Sequence, residues 1–207
     1  MFNSKNTNLQ IIQQDKESVA AGRFYPIRPY ELRDELRTIF NEAPKYKVDD
    51  FLQAIIVPHA GYIFSGEVAG AAYKSLQKFD TPVNVFIIGS SHTTKFEGAS
   101  IYCKGDYKTP LGRVSVNKDI ANKLFKANKH IFFDAQAHEN EHTIEVQLPF
   151  LQHLYGDNLS IIPIVIGTQN AAICESLAHT LKPYFKRDNL FVFSSDFSHY
   201  PTYHDAV

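Results

Sequence analysis

Residues 190–200 read LFVFSSDFSHY, a run of apolar, aromatic and β-branched residues that breaks abruptly into Ser, Asp, Ser and His. The same grammar occurs in AIIVPHAGY (54–62) and in NVFIIGSSH (84–92). Each run is short and apolar on both faces, which predicts a buried strand rather than a half-exposed one. Around them lie GEVAGAAYKSLQKF (66–79), KDIANKLFKAN (118–128) and AAICESLAHTLKPYF (171–185), which read as helices. Buried strands separated by helices predict a single α/β domain with a largely parallel β-sheet flanked by helices. In such sheets ligands gather beyond the carboxyl ends of the strands. His59, His92 and the pair Asp196/His199 all sit just past such an end, so imidazoles and a carboxylate are expected on one rim.

The remaining segments give further expectations. Residues 1–20 are polar and are expected to form an N-terminal arm, with the domain covering 21–207. A helix is expected from about Pro29, with Leu32, Leu36 and Phe40 at helical spacing. In the helix over 66–79, Val68, Ala72, Leu76 and Phe79 fall on one side. GASIYCKGDYKTPLGRVSVN (98–117) predicts a hairpin excursion around a Gly/Pro turn. EHTIEVQLPFLQHLYG (141–156) predicts a helix that Pro149 breaks near Val146. Pro163 in LSIIPIVIG (159–167) predicts an edge or bulged strand, because proline cannot donate to a ladder.

Composition narrows the function. The 207 residues carry a formal net charge of −1 and no basic stripe, which argues against nucleic acid as a partner. The two cysteines, Cys103 and Cys174, show neither a disulfide framework nor zinc-ribbon spacing, which fits a reducing compartment. No signal-peptide core and no run near the roughly 18 apolar residues of a membrane span is visible. The expectation is a cytoplasmic protein with no membrane contact.

His59 follows Pro58, which fixes the backbone as it leaves the strand, and His92 follows Gly89 and two serines. Neutral imidazoles on rigid strand ends are the commonest transition-metal donors, so His59 and His92 are the candidate metal ligands. Asp196 and His199 are three apart, close enough for the carboxylate to orient an imidazole for acid/base work. His142 is a further pocket candidate with Glu141 behind it, and Tyr62 is a candidate for lining the pocket. Any one of these histidines taken singly reads more readily as a solvated loop residue; their shared placement favours function. Ser90 or Ser91 as a nucleophile lacks a G-x-S-x-G elbow, and no G-x-G-x-x-G follows a strand.

AGRFYP, VPHAGYIFSG, IIGSSH, TPLG, EHTIEVQLPFL and SSDFSHY follow one another in this order, and with them the chain resembles the Memo family over about residues 20–207. That family is similar to the class III extradiol dioxygenases, non-haem iron enzymes of LigB-like α/β fold. The resemblance implies His59 and His92 as metal ligands, with iron(II) or copper as cofactor, and Asp196 and His199 in the pocket. It implies a third ligand from a further C-terminal part, a cysteine in Memo and a glutamate in the dioxygenases, which is expected to be missing from a chain that stops at Val207. Partners implied are an unknown small molecule or peptide, and AMMECR-type and radical-SAM proteins. Two functions are expected to compete: a metal-binding protein with redox or oxygenase-type chemistry, and a non-catalytic module for a peptide, phosphopeptide or small ligand.

Overall fold

The structure is a computed structural model and describes residues 14–48, 50–77, 82–199 and 202–206. α1 (Pro29–Glu42) opens on its proline, whose missing N–H costs nothing in a first turn. It buries Leu32, Leu36 and Ile39. β1 (Ala54–Val57) leads into α2 (Tyr62–Lys74), then β2 (Val83–Ser90) and β3 (Ala99–Ile101). β4 (Tyr107–Thr109) and β5 (Gly112–Val116) form the expected hairpin. α3 (Lys118–Ala127) is capped by the Asn117 side chain, which accepts from the Ile120 N–H. β6 (Ile131–Phe132), α4 (Gln136–Glu139), α5 (Leu148–Tyr155) and β7 (Leu159–Ile166) follow. α6 (Ala171–Leu181), capped by Asn170, precedes β8 (Asn189–Ser194) and the short α7 (Tyr203–Ala206).

The sheet runs β1-β8-β2-β7-β3-β6, with β5 also beside β7. β1, β8, β2 and β7 are mutually parallel where they pair, and only β3 on β7 and the β4–β5 hairpin are antiparallel. Strand alternation splits the core into two layers. Val85, Ile87, Ile161 and Val192 pack with Leu36, Tyr73 and Phe150 of α1, α2 and α5. Phe86, Ile88, Ile162 and Phe191 face Leu124 and Leu177 of α3 and α6. Both faces thus carry helices, as near-continuous apolar strands require.

Four expectations change. Residues 1–13 of the expected arm lie outside the described residues, but 14–20 belong to the packed unit. Lys16 donates its N–H to the Asp106 carbonyl at 2.7 Å and accepts from Lys108 N–H at 2.9 Å, and Ala20 is buried. β7 is not an edge. The carbonyls of Ile161 and Pro163 point the same way, accepting from Asn117 and Tyr102, so the N–H that Pro163 lacks would fall where β7 changes neighbour from β5 to β3. α2 begins four residues before Gly66 and its buried face is rotated: Tyr62, Ser65, Ala69 and Tyr73 are buried and Ala72 and Leu76 pack partly buried against the core, whereas Val68 is 64% exposed. Phe79, expected on one side with Val68, Ala72 and Leu76, is outside the described residues. The 141–156 helix is reduced to a 3₁₀ turn over Glu145–Gln147 followed by α5, the break falling where Pro149 places it.

Candidate metal centre

Three adjacent strands set up the site. β8 lies between β1 and β2, and Ser194 pairs with Val57 on one side and Gly89 on the other. The three chains therefore leave the sheet at one level. His59, Asp196 and His92 follow within a few residues. A fourth segment, 141–143, reaches the same rim because Gly89 has no side chain: a Cβ there would lie 2.7 Å from Thr143 Oγ1 and 2.8 Å from its Cβ.

One ring nitrogen from each of His59, His92 and His142 falls within 4.8 Å of the others. Ring centroids are 5.1 Å apart for His59–His92, 5.6 Å for His59–His142 and 4.8 Å for His92–His142. Each ring is braced. The Glu141 carboxylate accepts the His92 backbone N–H at 2.6 Å and contacts His92 Nδ1 at 3.1 Å, while also accepting the N–H groups of His142 and Thr143. This is a carboxylate–histidine pair of the kind that fixes a ligand's tautomer and leaves Nε2 as the donor. His142 packs against the Phe24 ring, with centroids 4.4 Å apart and the planes tilted by 31°. Asp196 Oδ1 accepts the His59 backbone N–H at 2.7 Å. Its Oδ2 stands 3.6 Å from His59 Nε2 and 3.4 Å from His199 Nε2.

Burial lowers His59 to about 4, against the pull of Asp196, with His92 and His142 lowering it further. Burial likewise lowers His142. Glu141 would be raised by its own burial, but the N–H groups of His92 and Thr143 and the His92 ring outweigh this and hold it below its usual value. At neutral pH the centre therefore presents neutral His59 and His142 imidazoles beside an ionised carboxylate. His59 Nδ1 lies 3.0 Å from Ser194 Oγ, but Nε2 is buried and has no hydrogen-bond partner among the described residues. A buried, unpartnered ring nitrogen beside two further imidazoles and a carboxylate oxygen is a group that a cation could complete. All-imidazole sites suit zinc, copper, iron and nickel.

A family model described as "Memo-like protein" matches residues 16–206. The chain belongs to the Memo family. MEMO1 family proteins of Sulfolobus acidocaldarius and Thermotoga neapolitana are 39% and 38% identical over 203 and 197 residues. These matches cover 90% and 89% of this chain, and 70% of each relative. A MEMO1 family protein of Thermoplasma acidophilum is 35% identical over 190 residues, covering 89% of this chain and 68% of its own.

In this Memo chain the expected residues divide sharply. His59, His92, His142, Glu141, Asp196 and His199 come together, with His142 adding a third ring nitrogen to those of His59 and His92. His199 is 60% exposed, on the solvent side of Asp196. Glu141 braces imidazoles rather than facing open space. Tyr62 is in the core, its hydroxyl donating to the Val146 carbonyl at 2.8 Å and its ring against Tyr25 and Phe150. His138, four before His142, is buried elsewhere between Ser100 and Tyr107. Sequence reading missed Gln147, a fully buried amide behind His59. Its signal was a polar residue, two after Glu145, inside the otherwise apolar run IEVQLPFL. No helix of the described residues is long and apolar enough to cross a membrane. An apolar cavity of about 490 Å³ lies on the α6 side of the sheet, lined by Leu177, Leu181, Phe191 and Phe193, and includes none of the three clustered histidines.

Proposed function

We propose that His59, His92 and His142 hold a transition metal, iron(II) or copper, and that the centre serves redox or oxygenase-type chemistry on a small substrate. The observation that carries this is the partnerless Nε2 of buried His59, in a cluster with the rings of His92 and His142. Such a metal would supply a Lewis acid and an electron couple. The chain's own residues do the rest. Asp196 Oδ2 lies against His199 Nε2, and the exposed His199 ring can pass a proton between solvent and a bound substrate at that nitrogen. Ile63, Phe64 and Phe197, each more than four-fifths exposed, follow His59 and Asp196 in the chain and offer apolar surface for the non-reacting part of a substrate.

Anaerobic reconstitution with ferrous iron, followed by metal analysis, tests the ligand set. Wild type is expected to hold one ion per chain, and His59→Ala, His92→Ala and His142→Ala to lose it; unchanged stoichiometry in His142→Ala removes that residue from the set. The exposed Phe64 and Phe197 also favour a second reading, a binding module for a peptide. Titration of a phosphotyrosine peptide into wild type and His199→Ala separates the two, because the module reading requires binding that the substitution weakens.

A further inference from the structure

Behind His59 lies a closed chain of buried hydrogen bonds whose proton positions follow from two groups that can only accept. The first is the Pro58 carbonyl, 2.9 Å from the Gln147 amide, which places Nε2 on that side. The same Nε2 reaches Ser194 Oγ at 2.9 Å, and Oε1 on the opposite side accepts from the Tyr73 hydroxyl at 2.9 Å. The second is the Thr143 carbonyl, 2.7 Å from Ser194 Oγ, which takes the one hydroxyl proton serine has. With that proton committed and an amide N–H already arriving, Ser194 Oγ can meet His59 Nδ1, 3.0 Å away, only as an acceptor.

We propose that Tyr73, Gln147 and Ser194 are positioning residues that lock His59 in its Nδ1–H tautomer and so present the Nε2 lone pair to the histidine cluster. Tyr73, Gln147, Ser194 and His59 are all buried, so no member can exchange its partner cheaply for solvent. The lock is needed because the rival tautomer has an acceptor waiting: Asp196 Oδ2 is 3.6 Å from His59 Nε2, and a proton there would occupy the lone pair. Ser194 thus decides between an open donor and a blocked one. The purpose of the lock rests on the metal-site reading, whereas the proton assignment rests on the two carbonyls alone.

Long-range proton–nitrogen correlation spectra of ¹⁵N-labelled, metal-free protein near neutral pH test the assignment directly. Wild-type His59 is expected to show a protonated Nδ1 and a bare Nε2. Ser194→Ala should transfer the proton to Nε2, and it should weaken ferrous binding roughly 10- to 100-fold. Ser194→Thr, which keeps the hydroxyl, should retain the wild-type tautomer. A protonated Nε2 in wild type, or an unmoved tautomer in Ser194→Ala, overturns the proposal; if Ser194→Ala does not fold, the wild-type spectrum decides by itself. A wild-type spectrum with Nδ1–H in a protein that binds no iron supports the assignment while sinking the metal reading.

Discussion

Glu141 is the carboxylate on which the centre turns. Its two oxygens contact five nitrogens: the backbone N–H groups of His92, His142 and Thr143, and the Nδ1 atoms of His92 and His142. An amide cannot replace it, since one end would then be a donor facing donors. Glu141→Gln is therefore expected to cost roughly 1–3 kcal/mol in stability and to weaken ferrous binding by about 10- to 100-fold. Urea unfolding and metal titration check the two effects, and an unchanged affinity would show that His92 does not depend on this brace. Gly89 acts through absence. Gly89→Ala must push Thr143 away from β2, and His142 with it, so a lower metal affinity is expected. The expected secondary structure is unchanged, which circular dichroism and metal titration together can establish.

Between segments, Glu145 ties the stretch before α1 to the 3₁₀ turn that leads into α5. It accepts from Ser18 Oγ and the Tyr25 hydroxyl, each at 2.6 Å, and from the N–H groups of Val19 and Ala20. Phe24, in the same segment, is the wall against His142. Glu145→Ala should leave those donors unpaired, at a cost of roughly 1–3 kcal/mol. Hydrogen exchange of the Val19 and Ala20 amides should accelerate; if it does not, the segment is held by packing alone. The α1–α2 contact depends on small residues. A Cβ on Gly70 would collide with Ile39, and one on Gly66 would lie 2.8 Å from it. Gly70→Ala is expected to destabilise by about 1–3 kcal/mol despite its better helix propensity, because overpacking outweighs the propensity gain.

For the molecule as a whole, buried neutral histidines set the response to acid. Burial lowers both His59 and His138 to about 4. An unfolded histidine titrates near 6.5, so as pH falls the unfolded chain takes up these protons first. Stability in the metal-free protein should be complete above about pH 6.5 and drain between about 6.5 and 4. For His138, which is 1% exposed, that window is worth about 3 kcal/mol. Unfolding midpoints in urea across this range should fall steeply in wild type and less steeply in His138→Gln; equal slopes would mean that His138 is not held neutral.

The strands and their helices were legible because buried parallel strands carry an unmistakable apolar signature, and the position of each histidine past a strand end followed from that. Burial faces were less legible: α2 looks equally apolar on two sides, and only packing against Ile39 and Phe150 selects one. Pro163 misled for a related reason, since a missing donor is tolerable inside a sheet wherever the neighbour changes, and neighbours are not written locally. The convergence of His59 and His92 could be anticipated from chain order. That His142 joins them, that Glu141 braces and Tyr62 retreats into the core, and which nitrogen of His59 stays bare, depend on groups brought together from residues 58, 73, 143, 147 and 194. Local sequence dictates periodicity and backbone freedom, whereas proton placement in a dry network depends on every acceptor that closes it, and only the folded chain assembles those.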